Sequence, residues 1–328
     1  MRYYNNYKCS FQIVIIFIFC FSRTYGQSPV TPVEDSIMRL ADPTIFSFRG
    51  TYYLYGTGGS SGNGFLVYYS RDLKSWKLSE QDSGYALKKG AAYGTRGFWA
   101  PQVFLYHKKF YMAYVANENI AIAESDSPLG PFSQTIKQPL AAPVKQIDPF
   151  VFIDNDGKKY LYHVRLINGN KIFVAELNND LSSIKQETLR ECIEASAVWE
   201  NTNKASWPVA EGPSVLKHKG LYYLFYSAND FRNPDYAVGY ATSNNPMGPW
   251  QKFEDNPIIT KSLVGENGPG HGDFFEQKKE YFYVFHTHNS SKTVGPRKTA
   301  IIKTRFYKTK DSLDRFGVLP NSFRILKK

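Results

Sequence analysis

Short runs of Tyr, Phe, Leu and Val recur along this chain, each set off by a polar turn. The phrases GTYYLYGTG (50–58), KFYMAYVAN (109–117), KKYLYHVRL (158–166), GLYYLFYSA (220–228) and EYFYVFHTH (280–288) share one composition. Aromatic and β-branched residues suit a pleated, buried surface, and the Gly, Lys or Glu before them marks a turn, so each phrase predicts a strand. An opening strand precedes each one: TIFSF (44–48), QVFLY (102–106), FVFID (150–154), SVLKH (214–218) and GDFFEQ (272–277). A further strand follows most of them, such as GFLVYYSRD (64–72) or YAVGYATSN (236–244). Then comes a recurring turn: SRDLKSWK (70–77), SDSPLGPFSQ (125–134), NNDLSSIK (178–185) and SNNPMGPWQK (243–252). No long stretch carries the 3.6-residue apolar period of a helix. Five copies of one unit, at a pitch of roughly 50–60 residues, predict a radial array. The expected fold is all-β, a five-bladed β-propeller with four-stranded antiparallel blades. It occupies one domain over 27–328, without linker or low-complexity segment.

The first 26 residues stand outside that pattern. Arg2 and Lys8 flank the start, residues 11–21 are almost wholly apolar, and Thr24-Tyr25-Gly26 offers small residues before Gln27. This is the order of a secretory signal peptide, so the mature protein is expected to be secreted or periplasmic. The apolar run is about half the ~20 residues of a membrane-spanning helix. Cleavage leaves Cys192 as the single cysteine, which excludes an internal disulfide and leaves stability to the core. The formal charge of +11 is concentrated at the end, where residues 292–328 hold eleven Lys and Arg against Asp311 and Asp314. Aromatics elsewhere sit in strand-like runs rather than a basic groove, so no nucleic acid is expected as a partner. The basic segment is expected to be a solvated sheet edge whose charges discourage strand addition.

The five opening strands also bring polar residues into line. One step upstream of each stand Ala41-Asp42-Pro43, Trp99-Ala100-Pro101, Ile147-Asp148-Pro149, Ala210-Glu211-Gly212-Pro213 and Gly270-His271-Gly272. Taken as equivalent, positions 42, 100, 148, 211 and 271 converge at one mouth of the propeller axis. Two aspartates, a glutamate and a histidine would then share a small space. Crowded carboxylates repel, which raises the pKa of at least one and lets it hold a proton near neutral pH. One carboxylate to take a proton from water and one carboxylic acid to protonate a leaving oxygen are the requirements of glycoside hydrolysis.

The signatures ADPTIF, FWAPQV, IDPFVF, AEGPSV and GPGHGDFF resemble glycoside hydrolase family 43, over essentially the whole mature chain. Members of that family are five-bladed propellers acting mainly on arabinose- and xylose-containing plant polysaccharides. The resemblance implies Asp42 as general base, Glu211 as general acid, Asp148 as the residue tuning and orienting Glu211, and inversion at the anomeric carbon. It also implies a contact from Arg297 to a sugar hydroxyl and a possible hydrated calcium near the axis beside His271, with no cofactor required for the chemistry. Trp99 is expected to offer an indole face to a sugar, and Trp199 and Trp207 to form the rim on the leaving-group side. Trp76 and Trp250, in the repeated outer turns where Phe132 takes the same place, are expected in the core. His286 and His288 are read as strand or pocket-wall residues.

The expected activity is that of an exo-acting, monomeric glycosidase on arabinan, arabinoxylan or xylan fragments. An α-L-arabinofuranosidase is favoured over a β-xylosidase, an endo-arabinanase or a galactan-cleaving enzyme. Some galactan-cleaving relatives lack the aspartate base, whereas Asp42 is present here. The non-enzymatic alternative is a glycan-binding propeller, which has no need of three acids.

Overall fold

The computed structural model describes residues 1–3, 36–59, 61–308 and 314–328. Past Tyr3, the expected leader lies outside the described residues. The chain divides into two compact units, Met1–Asp35 and Ser36–Lys328, and the second is the propeller.

Five antiparallel blades follow one another around the axis, and almost no helix interrupts them. Their inner strands are Ala41–Phe48, Trp99–Tyr106, Gln146–Ile153, Ala210–His218 and Gly270–Gln277. Each aromatic phrase forms the second strand: Thr51–Thr57, Lys109–Ala116, Lys159–Leu166, Leu221–Ala228 and Glu280–Thr287. In blade two the outermost strand shrinks to a single bridge between Glu124 and Ser133. The third strand expected over 64–72 is split: Tyr68–Ser70 stays in blade one, while Gly64–Leu66 pairs with Tyr85–Lys88 in a separate ribbon. The break falls at Val67, whose N–H donates to the Gly84 carbonyl at 2.9 Å instead of to a blade neighbour.

The aromatic runs are nearly continuous because both faces of every blade are covered. Along the second strand of blade three, Tyr160, Tyr162 and Val164 pack with Val215, Leu224 and Tyr226 of blade four. Leu161, between them, points the other way, into a cluster with Phe104, Ala113 and Val151. A strand whose alternate residues enter two different cores has no solvent face and no polar alternation. Trp76 and Phe132 are buried, and Trp250 packs edge-on to Tyr162, as expected of the outer turns.

Neighbouring inner strands are tied directly. The Gln102 side chain donates to the Val151 carbonyl at 3.1 Å and accepts from its N–H at 2.8 Å, and Thr44 Oγ1 donates to Asp273 Oδ2 at 2.7 Å. Closure of the ring is non-covalent. Met38 N–H donates to the Leu326 carbonyl at 2.8 Å and the Met38 carbonyl accepts from Thr299 N–H at 2.9 Å, seating the first described segment of the propeller on blade five. Among the described residues no helix is long and apolar enough to cross a membrane.

Candidate active site

Every inner strand carries a β-bulge at its start, and the bulges set the site. Regular pairing resumes after a shift between Ala41 and Thr44, Trp99 and Gln102, Ile147 and Phe150, Glu211 and Ser214, and Gly270 and Asp273. The residue after the first of each pair has a left-handed backbone: Asp42 (φ 47), Ala100 (φ 44), Asp148 (φ 54), Gly212 (φ 59) and His271 (φ 43). Four of these five are not glycine, and such positions cost about 1–3 kcal/mol each and persist only where neighbours over-determine them.

Neighbours from the preceding blade do so at Asp42, Ala100 and His271. In the second strands, Thr57, Val115, Val164, Ser227 and His286 pair with the residue just before each left-handed position. The polar members of this row cap the next blade's bulge amide. Thr57 Oγ1 accepts from Ala100 N–H at 2.9 Å, Ser227 Oγ from His271 N–H at 2.7 Å, and His286 Nδ1 from Asp42 N–H at 3.1 Å. Blade three has Val164 in this place, which cannot accept. There the Asp148 carboxylate takes the Gly212 N–H instead, at 3.1 Å.

This register corrects one expectation from the sequence. Gly212, not Glu211, is equivalent to Asp42, Ala100, Asp148 and His271. Glu211 occupies the position of Trp99 and Ile147, one residue earlier, so its side chain emerges from the neighbouring place on the bulge. The signal was present in the prolines: Pro43, Pro101, Pro149 and Pro213 align directly, and they put Gly212 in the row. Gly212 is required there twice over, by its positive φ and because a Cβ would stand 2.8 Å from His271 Cγ.

Asp42, Asp148 and Glu211 all line one cavity of about 450 Å³, and all three are buried. Their environments pull them apart. Burial pushes Asp42 up, but the opposing influences, Arg297 first and then His271, outweigh it and hold its carboxyl well below the usual carboxylate range. Arg297 Nη1 donates to Asp42 Oδ1 at 3.1 Å, and His271 Nδ1 lies 3.4 Å from the same oxygen. Asp148 is pushed up to about 7 by burial and by the charge of Asp42. Glu211 is also pushed up to about 7, by burial and then by Asp148. Its Oε1 accepts from the Tyr236 hydroxyl at 2.9 Å and its Oε2 from Asn170 Nδ2 at 2.9 Å. His286 is fully buried, and burial and Arg297 hold its pKa well below the ordinary value, so a neutral ring receives the Asp42 amide. The arrangement offers an ionised carboxylate and a carboxyl that keeps its proton towards neutrality in one pocket.

The structure brings most of the sequence-derived residues together. Trp99 and Trp207 line the cavity with 37% and 47% of their surface exposed. His271 and Arg297 line it as well, and the Arg297 guanidinium lies 4.7 Å from the centre of the Phe231 ring. Trp199 is the exception. It packs against Tyr226 at 5.8 Å and over Gly239, whose missing side chain leaves room for the indole, so it belongs to the core between blades three and four. The possible calcium beside His271 finds no direct donor set. The His271 ring faces Asp42 and Asp148, and among the described residues no group of three or more His, Cys, Asp or Glu side chains is arranged to hold a metal. His288 Nε2 contacts the Phe231 carbonyl at 2.8 Å and braces the cavity wall. Asn170, Tyr236, Thr57, Phe231 and the ion pair Asp230–Arg232 were not singled out from the sequence, where none carries a motif.

Comparison with known proteins matches residues 32–310 to the family model described as glycosyl hydrolases family 43. A solved structure titled endo-1,4-beta-xylanase, from Bacteroides thetaiotaomicron, superposes with a TM-score of 0.82 at 43% identity, covering 90% of this chain and 98% of that one. A beta-D-galactofuranosidase of Aspergillus niger is 22% identical over 94% of both chains. An arabinoxylan arabinofuranohydrolase of Bacillus subtilis is 27% identical over 76% of this chain, which spans only 56% of that protein's length.

Proposed function

This chain belongs to glycosyl hydrolases family 43 and is a glycosidase, and on that premise we propose that it is an inverting, exo-acting α-L-arabinofuranosidase on arabinoxylan or arabinan fragments. Asp42 is the general base, Glu211 the general acid, and Asp148 the residue that raises and orients Glu211. The observation that carries these roles is the opposite displacement of two carboxyls in one cavity, Asp42 held ionised and Glu211 held protonated. Asp42 takes a proton from a water as its oxygen bonds to the anomeric carbon. Glu211 gives its proton to the glycosidic oxygen as the carbon–oxygen bond breaks on the opposite face. Inversion requires roughly 6.5–9.5 Å between the two carboxyls, leaving room for the water. Exchange of protons with solvent resets both groups, and family 43 chemistry needs no cofactor.

The pocket is at the small end of the roughly 300–1,000 Å³ usual for ligand sites, which favours one terminal sugar over a long chain. Two of the relatives are named as furanoside-cleaving enzymes, which supports the furanosidase reading. A β-xylosidase is the second reading, favoured by the xylanase title of the 43% identical structure. Arg297, Trp99 and Trp207 are the proposed sugar contacts.

Release of nitrophenol from aryl α-L-arabinofuranosides and aryl β-D-xylosides by wild type, Asp42→Asn and Glu211→Gln tests the proposal. Loss of about 10²–10⁴-fold is expected for each variant on a substrate with a poor leaving group. Full activity of Asp42→Asn would sink the base assignment. A wild type inert on both substrates and on arabinan and xylan oligosaccharides would leave a glycan-binding propeller. Proton NMR of the first anomer released decides inversion.

A further inference from the structure

Glu211 is held by two donors, and the orientation of one of them is fixed by a surface tryptophan. The Trp207 indole N–H can only donate, so the branch of the Asn170 amide that faces it, at 2.9 Å, is the oxygen Oδ1. The other branch, Nδ2, is thereby turned onto Glu211 Oε2 at 2.9 Å. Nδ2 also only donates, so the Glu211 lone pair facing it carries no proton. On the other oxygen stands the Tyr236 hydroxyl, 2.9 Å away and itself buried.

The geometry points to Asn170 as a positioning residue for proton delivery, kept in its working orientation by the Trp207 N–H. This deepens the reading of Glu211 as the general acid and rests on it. The amide keeps the Glu211 proton off the lone pair that faces Asn170 and so directs it elsewhere. When the proton leaves for the glycosidic oxygen, the amide donates to a carboxylate that gains full charge. Hydrogen bonds to charged acceptors are roughly twice as strong as neutral ones, so this contact tightens along the reaction, as catalysis requires. Without the indole N–H, the amide is free to rotate and present Oδ1 to Glu211, which favours the protonated acid and opposes its release. The main chain does not depend on the side chain here, since Asn170 N–H donates to the Pro208 carbonyl at 2.9 Å in any variant.

The test compares wild type, Asn170→Ala, Trp207→Phe and Glu211→Gln on two aryl glycosides of whichever sugar the enzyme accepts. One carries 2,4-dinitrophenol, which departs with little need of a proton, and the other carries phenol, which needs one. Asn170→Ala is expected to lose about ten- to a hundredfold more kcat/KM on the phenyl than on the dinitrophenyl substrate. Trp207→Phe, which keeps an aromatic face and loses only the N–H, is expected to lose in the same direction by less. In both, the basic limb of the pH profile moves up, because the ionised acid has lost a donor. Equal losses on both substrates with an unmoved basic limb, while Glu211→Gln remains leaving-group dependent, would overturn the inference and leave the acid assignment intact. A Glu211→Gln variant without leaving-group dependence would overturn both. A Trp207→Phe variant that raises KM alone would reduce Trp207 to a sugar platform and remove it from the inference.

Discussion

Replacing Arg297 by Met keeps a long apolar stem over Phe231 and deletes the cation that stands 3.1 Å from Asp42 Oδ1. At an effective dielectric near 20, unit charges that close attract by about 5 kcal/mol. At 1.36 kcal/mol per pKa unit this is an upper bound of about 4 units. Water entering the vacated space and the remaining histidines reduce it, so a rise of about 2 units is expected for Asp42. The sign follows from the balance at this carboxyl. Burial is its largest influence and raises it, and Arg297 is the strongest influence opposing burial, so its loss leaves that task to weaker ones such as His271 and the Thr57 hydroxyl. A base with a higher pKa is protonated, and so disabled, at a higher pH. The acid limb of kcat/KM should therefore move up by about 2 pH units. The basic limb should move less, since Arg297 is not among the leading influences on Glu211. The assay is kcat/KM on an aryl glycoside across the pH range in which the variant melts like wild type, with Arg297→Lys as the charge-conserving control. A loss that is the same at every pH, with the acid limb where wild type has it, would refute the reasoning and leave Arg297 as a sugar ligand only.

Two other substitutions probe the same frame. Asp148→Asn removes the like charge beside Glu211 but leaves burial, the larger influence. The basic limb, expected near pH 7 in wild type, should then fall while staying above an ordinary glutamate, and an unmoved limb counts against Asp148 as the tuning residue. Gly212→Ala meets both a left-handed backbone and a Cβ 2.8 Å from His271 Cγ. A destabilisation of about 2–4 kcal/mol is expected from strain and overpacking together, read as a lower melting midpoint with a large loss of activity.

What could be read from the sequence, and what could not, follows from how each feature is encoded. The fold is written five times over. Tyr160, Tyr162 and Leu161 had to be apolar on successive positions because each enters a core shared with a neighbouring blade, and the other second strands face the same demand. Repetition made that pattern visible despite the weak signal of any single strand. The acids were legible for the same reason, as departures at the start of a repeated unit. The one-residue offset of Glu211 escapes an alignment on acidity, because the proline after the bulge is the better marker of equivalence. Proline marks, in four of the five blades, a backbone geometry that all share, whereas a carboxyl marks chemistry that two blades do without. Asn170 and Tyr236 were hidden by a different cause. Each meets Glu211 only in the folded ring, Asn170 from the neighbouring blade 41 residues away and Tyr236 from beside the third strand of the same blade, 25 residues away. Such residues are selected by the company the closed ring gives them rather than by a local rule. Trp199 shows the converse, since an indole near the acid in sequence is drawn into the core by the space above Gly239. Proximity along the chain is therefore an uneven guide here: of the two tryptophans that precede Glu211, Trp207 lines the cavity and Trp199 does not, whereas the bulge, repeated in every blade, delivers its side chains to the mouth.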